Sequence, residues 1–277
     1  MINRLPDLGV GLGFRPVLRK GIDNNTDQID FLEIIADHYF NAPPKKLREL
    51  NQISQRFPVI PHAIGLSLGT DSQFNRSYLD NFAQLCDSIE APWCSEHLAF
   101  TSVHGREIGH LSPLPFTHEA VDVVTKKIRT AQDTLPVPLI LENITYLLEI
   151  PGSEMTEPEF VTAVVENAGC GLLLDITNVY TNATNHGFDP VSYLNSIPLN
   201  QVVQIHLAGG FWQDDLLIDS HSCSVPDAVW NLLSHLIERV EVKGILIERD
   251  DGLTDFEQLL GELRNARQIW KGTDATV

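Results

Sequence analysis

Positive charge is scarce in this chain: 19 Lys and Arg stand against 37 Asp and Glu in 277 residues, a formal net charge of −18. A surface of that sign repels phosphate backbones, which argues against nucleic acid as a partner. No basic strip is longer than the two residues of Lys126-Lys127. Long hydrophobic runs are also missing. None approaches the roughly 20 residues of a membrane-spanning helix, and Met1-Ile-Asn-Arg-Leu-Pro-Asp7 has no apolar signal core. No membrane association is therefore expected, and the chain reads as cytoplasmic. Cysteine is limited to Cys86, Cys94, Cys170 and Cys223, without a CxxC pair. That pattern argues against a disulfide scaffold, a structural zinc knuckle and an iron–sulfur cluster. Nothing has the composition of a linker. With 43% hydrophobic residues, residues 1–277 are long enough for one large core.

What the chain does contain is a repeated pattern: a short apolar run that stops at a polar, metal-competent side chain. Pro138-Leu-Ile-Leu-Glu142-Asn143 shows it most plainly, and it recurs in Phe31-Leu-Glu33, Val59-Ile-Pro-His62, Trp93-Cys-Ser-Glu96-His97, Gly171-Leu-Leu-Leu-Asp175, Gln201-Val-Val-Gln-Ile-His206 and Gly244-Ile-Leu-Ile-Glu248. Apolar runs of this length bounded by Pro or Gly predict parallel strands buried on both faces. Helical periodicity falls between them: after Pro43-Pro44 (Leu47, Leu50, Ile53), over Tyr78–Ile89, Glu119–Gln132, Glu157–Ala168, around Pro190–Ser196, over Asp227–Arg239 and over Asp255–Trp270. With Leu8–Phe14 as the first strand, this makes eight strand-then-helix units about 30 residues apart. The fold class is α/β, a single-domain (β/α)8 TIM barrel. A doubly wound open sheet is the runner-up. The Gly9-Val-Gly11-Leu-Gly13 run invites a nucleotide-loop reading, but Pro16 stands where that fingerprint needs a helix N-terminus, so close packing inside a barrel explains it better. The 101–118 stretch, with His104, His110 and Pro113-Leu-Pro115, reads as a long polar excursion able to cover a site.

In a barrel the C-terminal ends of all strands face one pole. His62, Glu96, His97, Glu142, Asn143, Asp175, Asn178, His206 and Glu248 then converge there, joined by Asp219 and His221 from a loop. Each has a bland alternative: Glu96-His97 as a pair satisfying one another, Asp219-Ser-His221 as a turn, Asp175 or Glu248 as a backbone cap. Collected together, so many imidazoles and carboxylates exceed what one acid/base pair needs, and the concentrated negative charge calls for cations. A multimetal site outweighs a metal-free barrel. Nitrogen and oxygen ligands without clustered thiolates suit Fe, Mn or Zn. His104, His110, His118, His186 and His235 are assigned to surface or packing, His186 with the best claim on the rim.

Those residues, with the surrounding motifs His62-Ala-Ile-Gly-Leu-Ser-Leu-Gly69, Ser95-Glu-His97, Leu141-Glu-Asn143, Leu174-Asp-Ile-Thr-Asn178, Asn185-His-Gly-Phe-Asp-Pro190, Ile205-His-Leu-Ala-Gly-Gly210, Asp219-Ser-His221 and Glu248-Arg-Asp250, resemble the multinuclear non-haem iron-dependent oxidases over nearly the whole chain. The resemblance implies two or three Fe ions of mixed Fe(II)/Fe(III) valence, O2 as co-substrate and a ribosomally made precursor peptide as substrate, cysteine being the usual target. It further implies His62, His97, Glu142, Asp175, His206, Asp219, His221 and Glu248 as metal ligands, Asn178 as a weaker one, His97, Glu142 and Asp219 as catalytic, and a small leader-recognition accessory protein as a further partner. The chain departs from that family at Thr177, where Asn is common, and at Gly210-Phe211, where a loop His is often found; both bear on substrate identity. The competing functions are a divalent-metal sugar isomerase or endonuclease-like barrel and a non-catalytic, metal-loaded peptide-binding scaffold.

Overall fold

The computed structural model describes residues 4–274 apart from His104 and Thr254. In chain order the strands are β1 (Gly9–Gly13), β2 (Leu32–Ile35), β3 (Val59–Ala63), β4 (Cys94–His97), β5 (Phe100–Val103), β6 (Arg106–Ser112), β7 (Leu139–Glu142), β8 (Gly171–Asp175), β9 (Val202–Leu207), β10 (Phe211–Gln213), β11 (Leu216–Ile218) and β12 (Gly244–Ile247). The helices are α1 (Arg19–Asn24), α2 (Pro44–Ser54), α3 (Arg76–Ser88), α4 (His118–Gln132), α5 (Glu157–Ala168), α6 (Ile176–His186), α7 (Pro190–Ser196), α8 (Asp227–Ile237) and α9 (Phe256–Asp274). Eight strands close a parallel barrel in the order β1-β12-β9-β8-β7-β4-β3-β2, the TIM barrel expected; β5-β6 and β10-β11 are separate antiparallel hairpins.

Two cores hold it. The larger lies between the strands and the helices, where residues such as Leu79 and Phe82 of α3 and Phe160 and Val164 of α5 are buried against outward-facing strand side chains. The smaller fills the barrel itself: Phe31, Ile60, Trp93, Ile140, Leu173, Val203 and Leu246, all fully buried. Side chains alternate across a strand with period two, so the next inward position along most of these strands is two residues on. There the sequence switches from apolar to polar: Glu33, His62, Ser95, Glu142, Asp175 and Glu248. The floor of the site is thus the top of the inner core. Gly11 makes that floor possible, since a Cβ there would lie 2.6 Å from the Phe31 ring. The glycine run of β1 serves packing inside the barrel.

The connections after the strands carry structure of their own. β4 stops at His97, and Leu98 turns its N–H to Glu142 O (2.8 Å), which bends the chain into β5. Much of the 101–118 excursion is regular, the β5-β6 hairpin. The stretch after Asp175, which the sequence left unassigned, is α6, eleven residues long, before α7.

Candidate metal centre

The site gathers at the C-terminal pole in three adjoining groups of potential ligand atoms: His62, His97 and Glu142; Glu142, Asp175 and His206; and His221, Glu248 and Asp250. Glu142 belongs to two. Its Oε2 lies 3.1 Å from His62 Nε2 and 3.4 Å from His97 Nε2, and its Oε1 lies 3.2 Å from His206 Nδ1. Glu248 joins the second group to the third, with Oε2 3.4 Å from His206 Nδ1 and 3.5 Å from His221 Nδ1. Ligand atoms about 2.1 Å from one ion lie roughly 3.0–3.4 Å apart, close to the spacing found here.

The hydrogen-bond ledger tests whether cations fit. Buried Glu142 Oε2, Asp175 Oδ2, Asn178 Oδ1, His206 Nδ1, Asp219 Oδ1 and His221 Nε2 make no hydrogen bond. Buried polar atoms are rarely left so, and six such atoms directed into one pocket form a set that bound cations would satisfy. His62 Nε2 and His97 Nε2 also face each other at 3.2 Å. Two imidazole nitrogens at that distance suit co-ligands of one ion better than a shared proton.

Behind each ligand stands a partner that orients it. His97 Nδ1 lies 3.2 Å from Ala63 O and 3.3 Å from Glu96 Oε1, which leaves Nε2 for the site. Glu96 is otherwise engaged with the Leu66 and His97 N–H groups, so it orients and does not ligate. His62 Nδ1 meets Ser95 Oγ at 2.7 Å. His206 is reversed: its Nε2 is 3.1 Å from Glu33 Oε1, so Nδ1 faces the site. Gln204 donates to Glu33 (2.6 Å) and accepts from Trp93 Nε1 (2.8 Å), tying the ligand shell to the inner core. Asn143 bridges β7 to β8, donating to Asp175 O and accepting from Asp175 N, both at 2.9 Å. Asp175 uses Oδ1 to cap α6 at Asn178 N (2.7 Å) and keeps Oδ2 for the site.

Asp219 and His221 come from the loop after β11, with Asp219 Oδ1 2.9 Å from His221 Nε2 and Asp219 Oδ2 3.5 Å from Thr145 Oγ1. Gly209 and Gly210 let that loop approach: a Cβ on Gly209 would lie 2.1 Å from Ser224 O, and one on Gly210 2.1 Å from Ile218 O. His221 is held at φ 49°, in the left-handed region that few non-glycine residues adopt.

The electrostatics follow from crowding. Burial pushes the His62 imidazole down, yet the Glu142 carboxylate outweighs it and lifts the group to about 9. Burial likewise opposes, and Glu33 and Glu142 overcome, a large upward displacement of His206; Glu248 and Asp219 raise His221 against the same penalty. Burial would raise Glu142 and Glu248, but the neighbouring imidazoles hold both well below the carboxylate range. Asp175 goes up instead, through burial and repulsion by Glu142 and Asp219. Bound cations would balance the same carboxylates that raise these imidazoles.

Of the nine residues expected as ligands, seven fall in the three groups: His62, His97, Glu142, Asp175, His206, His221 and Glu248. Asn178 and Asp219 lie outside them, although each directs an unpaired buried oxygen. Asp250 had gone unassigned. It forms the third group with His221 (3.3 Å) and is held by Arg15, whose guanidinium also reaches Glu248 at 3.0 Å. Glu33, read only as one more metal-competent strand end, instead faces His206 and Gln204; Gln204 and Arg15 went unread because an orienting residue has no signature apart from its target. His110 and His118 are exposed and His235 is half-buried beside Asn195, as surface or packing positions should be, whereas His186 packs on the Tyr146 ring and reaches Tyr146 O at 2.9 Å. His104 lies outside the described residues. Thr177, one of the two departures, bonds Ala208 N and O and so fastens α6 to the end of β9.

Comparison with known proteins agrees with this architecture. The D-tagatose 3-epimerase-like protein superposes with a TM-score of 0.60 at 14% identity, covering 94% of this chain and 98% of that one. D-psicose 3-epimerase gives 0.59 at 10% identity, with 96% and 98% covered. At such identities the likeness is one of fold. UPF0276 proteins of Caulobacter vibrioides and Acaryochloris marina are 38% and 37% identical, over 95% and 93% of this chain and 94% and 93% of their own. A family model described as RiPP precursor modification enzyme MbnB/TglH/ChrH matches residues 9–271, and the chain belongs to that family.

Proposed function

We propose that this protein is a multinuclear, iron- and O2-dependent oxidase that modifies a ribosomally made precursor peptide, with cysteine as the side chain attacked. The observation that carries the reading is Glu142, whose two oxygens face two separate ligand groups, as a carboxylate bridging two ions must. The family supplies the substrate class.

On this reading His62, His97 and Glu142 would hold one ion, Glu142, Asp175 and His206 a second, and His221, Glu248 and Asp219 or Asp250 a third, with Asn178 as an auxiliary oxygen. Iron, when bound, supplies the oxidation of the substrate by dioxygen. The chain's own residues do the rest. Glu33 holds the proton on His206 Nε2 and keeps Nδ1 available; Ala63 O does the same for His97 Nδ1. The inner core beneath closes the site to water from below. An accessory protein that presents the leader segment belongs to the same reading.

The test is metal content by mass spectrometry on anaerobically purified protein, with Mössbauer spectroscopy after iron enrichment, followed by oxygen uptake and mass change of a cysteine-bearing precursor peptide. Two or three irons per chain and a peptide mass change that consumes O2 support the assignment. Stoichiometric zinc or manganese with iron unable to bind would replace it by a divalent-metal isomerase-like barrel. Iron without O2 uptake would leave a binding scaffold.

A further inference from the structure

A second cavity, a groove of about 630 Å3, opens between the start of α5 and α7. Its apolar walls are Phe116, Tyr146, Met155, Phe188 and Tyr193, and among the polar residues that line it Glu157 is the carboxylate held between the rings. The rings form a partial cage: Phe116 meets Tyr146 edge-on at 6.2 Å, and Phe188 stacks on Tyr193 at 5.9 Å. Tyr146 Oη donates to Glu157 Oε2 at 3.1 Å. The Tyr193 hydroxyl is buried, 5% of the residue being exposed, and faces the same Glu157 carboxylate. Among the described residues no Lys or Arg lines the groove, whereas Glu149, Glu159 and Asp189 stand exposed around it.

We infer that this groove receives a cationic side chain, lysine or arginine, of the peptide substrate. A carboxylate among aromatic rings with no cation beside it is an unbalanced charge, and a cation on an alkyl stem satisfies both components: the rings take the stem and the face of the charge, the carboxylate takes the charge itself. An anion would meet four carboxylates. A neutral apolar group would leave Glu157 uncompensated. Burial alone pushes the Glu157 carboxyl up to about 7, against the pull of the Tyr146 hydroxyl, which fits a group lacking its counter-ion.

The groove is also tied to the metal centre. Tyr146 lies four residues beyond Glu142 on the segment leaving β7, and that segment is pinned by Asn182, which accepts from Tyr146 N (3.1 Å) and donates to Ile144 O (2.9 Å). A peptide anchored here by one residue would be held in fixed relation to the ligand groups. The peptide origin of the cation rests on the function proposed above; the cage itself does not.

Calorimetric titration of the full-length protein with N-acetyl-lysine N-methylamide, its norleucine counterpart and tetramethylammonium tests this. Expected is measurable binding of the lysine compound, at least tenfold weaker binding of norleucine and of tetramethylammonium, and a tenfold loss of lysine affinity in Glu157→Gln. Phe188→Leu, which keeps apolar bulk without the ring, should weaken lysine several-fold and guards against a misfolded Glu157 variant. Equal affinity for lysine and norleucine, no binding of lysine, or unchanged affinity in both variants would overturn the proposal. Tetramethylammonium binding as tightly as lysine would overturn the peptide origin. Iron content measured on the same samples is read separately, so failure of the metal assignment and failure of the cage are distinguishable.

Discussion

The two layers inside the barrel are built on the same strands, two residues apart, and they do opposite things. The lower layer, from Phe31 to Leu246, is dry, apolar and fully buried, and it contributes stability through packing. The upper layer is as deeply buried at Glu142, Asp175 and His206, yet it leaves polar atoms unpaired and like charges adjacent. One step of the β pleat therefore separates positions that hold the fold from positions that burden it. The comparison also shows where the two meet: Trp93 belongs to the lower layer but donates through Gln204 towards Glu33 and His206.

The sharpest way to separate the layers is to cut one ligand. His97→Ala is expected to lower turnover on the peptide to about one-thousandth or less, with one metal fewer per chain, while the melting temperature of the metal-free protein moves little. Full activity after iron reloading would remove His97 from the centre. The converse cut is Leu173→Ala in the lower layer, which should cost about 2–5 kcal/mol in denaturant unfolding, with metal stoichiometry kept in the folded fraction. Between the layers, Glu33→Gln should weaken metal affinity about 10–100-fold in a competition titration and leave stability nearly unchanged, because it frees the His206 ring without removing a ligand.

The smallest effect lies outside the barrel, at Lys127. Buried, and bonded to Ser67 O and Thr70 O at 3.1 Å each, its ammonium is pushed down from the ordinary 10.5 to about 8. The folded state then binds fewer protons than the unfolded one between those values, so stability rises with pH from about 8 to 10.5. Urea midpoints across that range should climb in the parent and flatten in Lys127→Met. A flat parent profile would show the ammonium to be unperturbed.

The barrel was legible because each strand is an apolar run too short for a membrane and too continuous for a surface strand, and because every run ends in the same kind of residue. Closure then collects those ends without any further signal. What stayed hidden had its cause elsewhere in the chain. The α6 sequence, Ile-Thr-Asn-Val-Tyr-Thr-Asn-Ala-Thr-Asn-His, is rich in Thr and Asn and would not form a helix by propensity. It does so because Asp175 caps its start, Gly187 ends it at φ 75°, and Thr177, Asn178 and Asn182 are fastened to neighbouring backbone. The hairpin over residues 100–112 alternates too weakly to announce itself. Asp250 escaped notice because its role depends on Arg15, 235 residues earlier.

The glycine pair at 209–210 has a consequence for how such a centre changes over evolutionary time. Two ligand groups ride on strands, and altering them means rebuilding a barrel wall. The third draws His221 from a loop admitted only because two side chains are missing beneath it. On the proposed reading, a single methyl group at either glycine would lift that loop away, so the step from three metal positions to two would be one substitution long and would leave the barrel strands as they are.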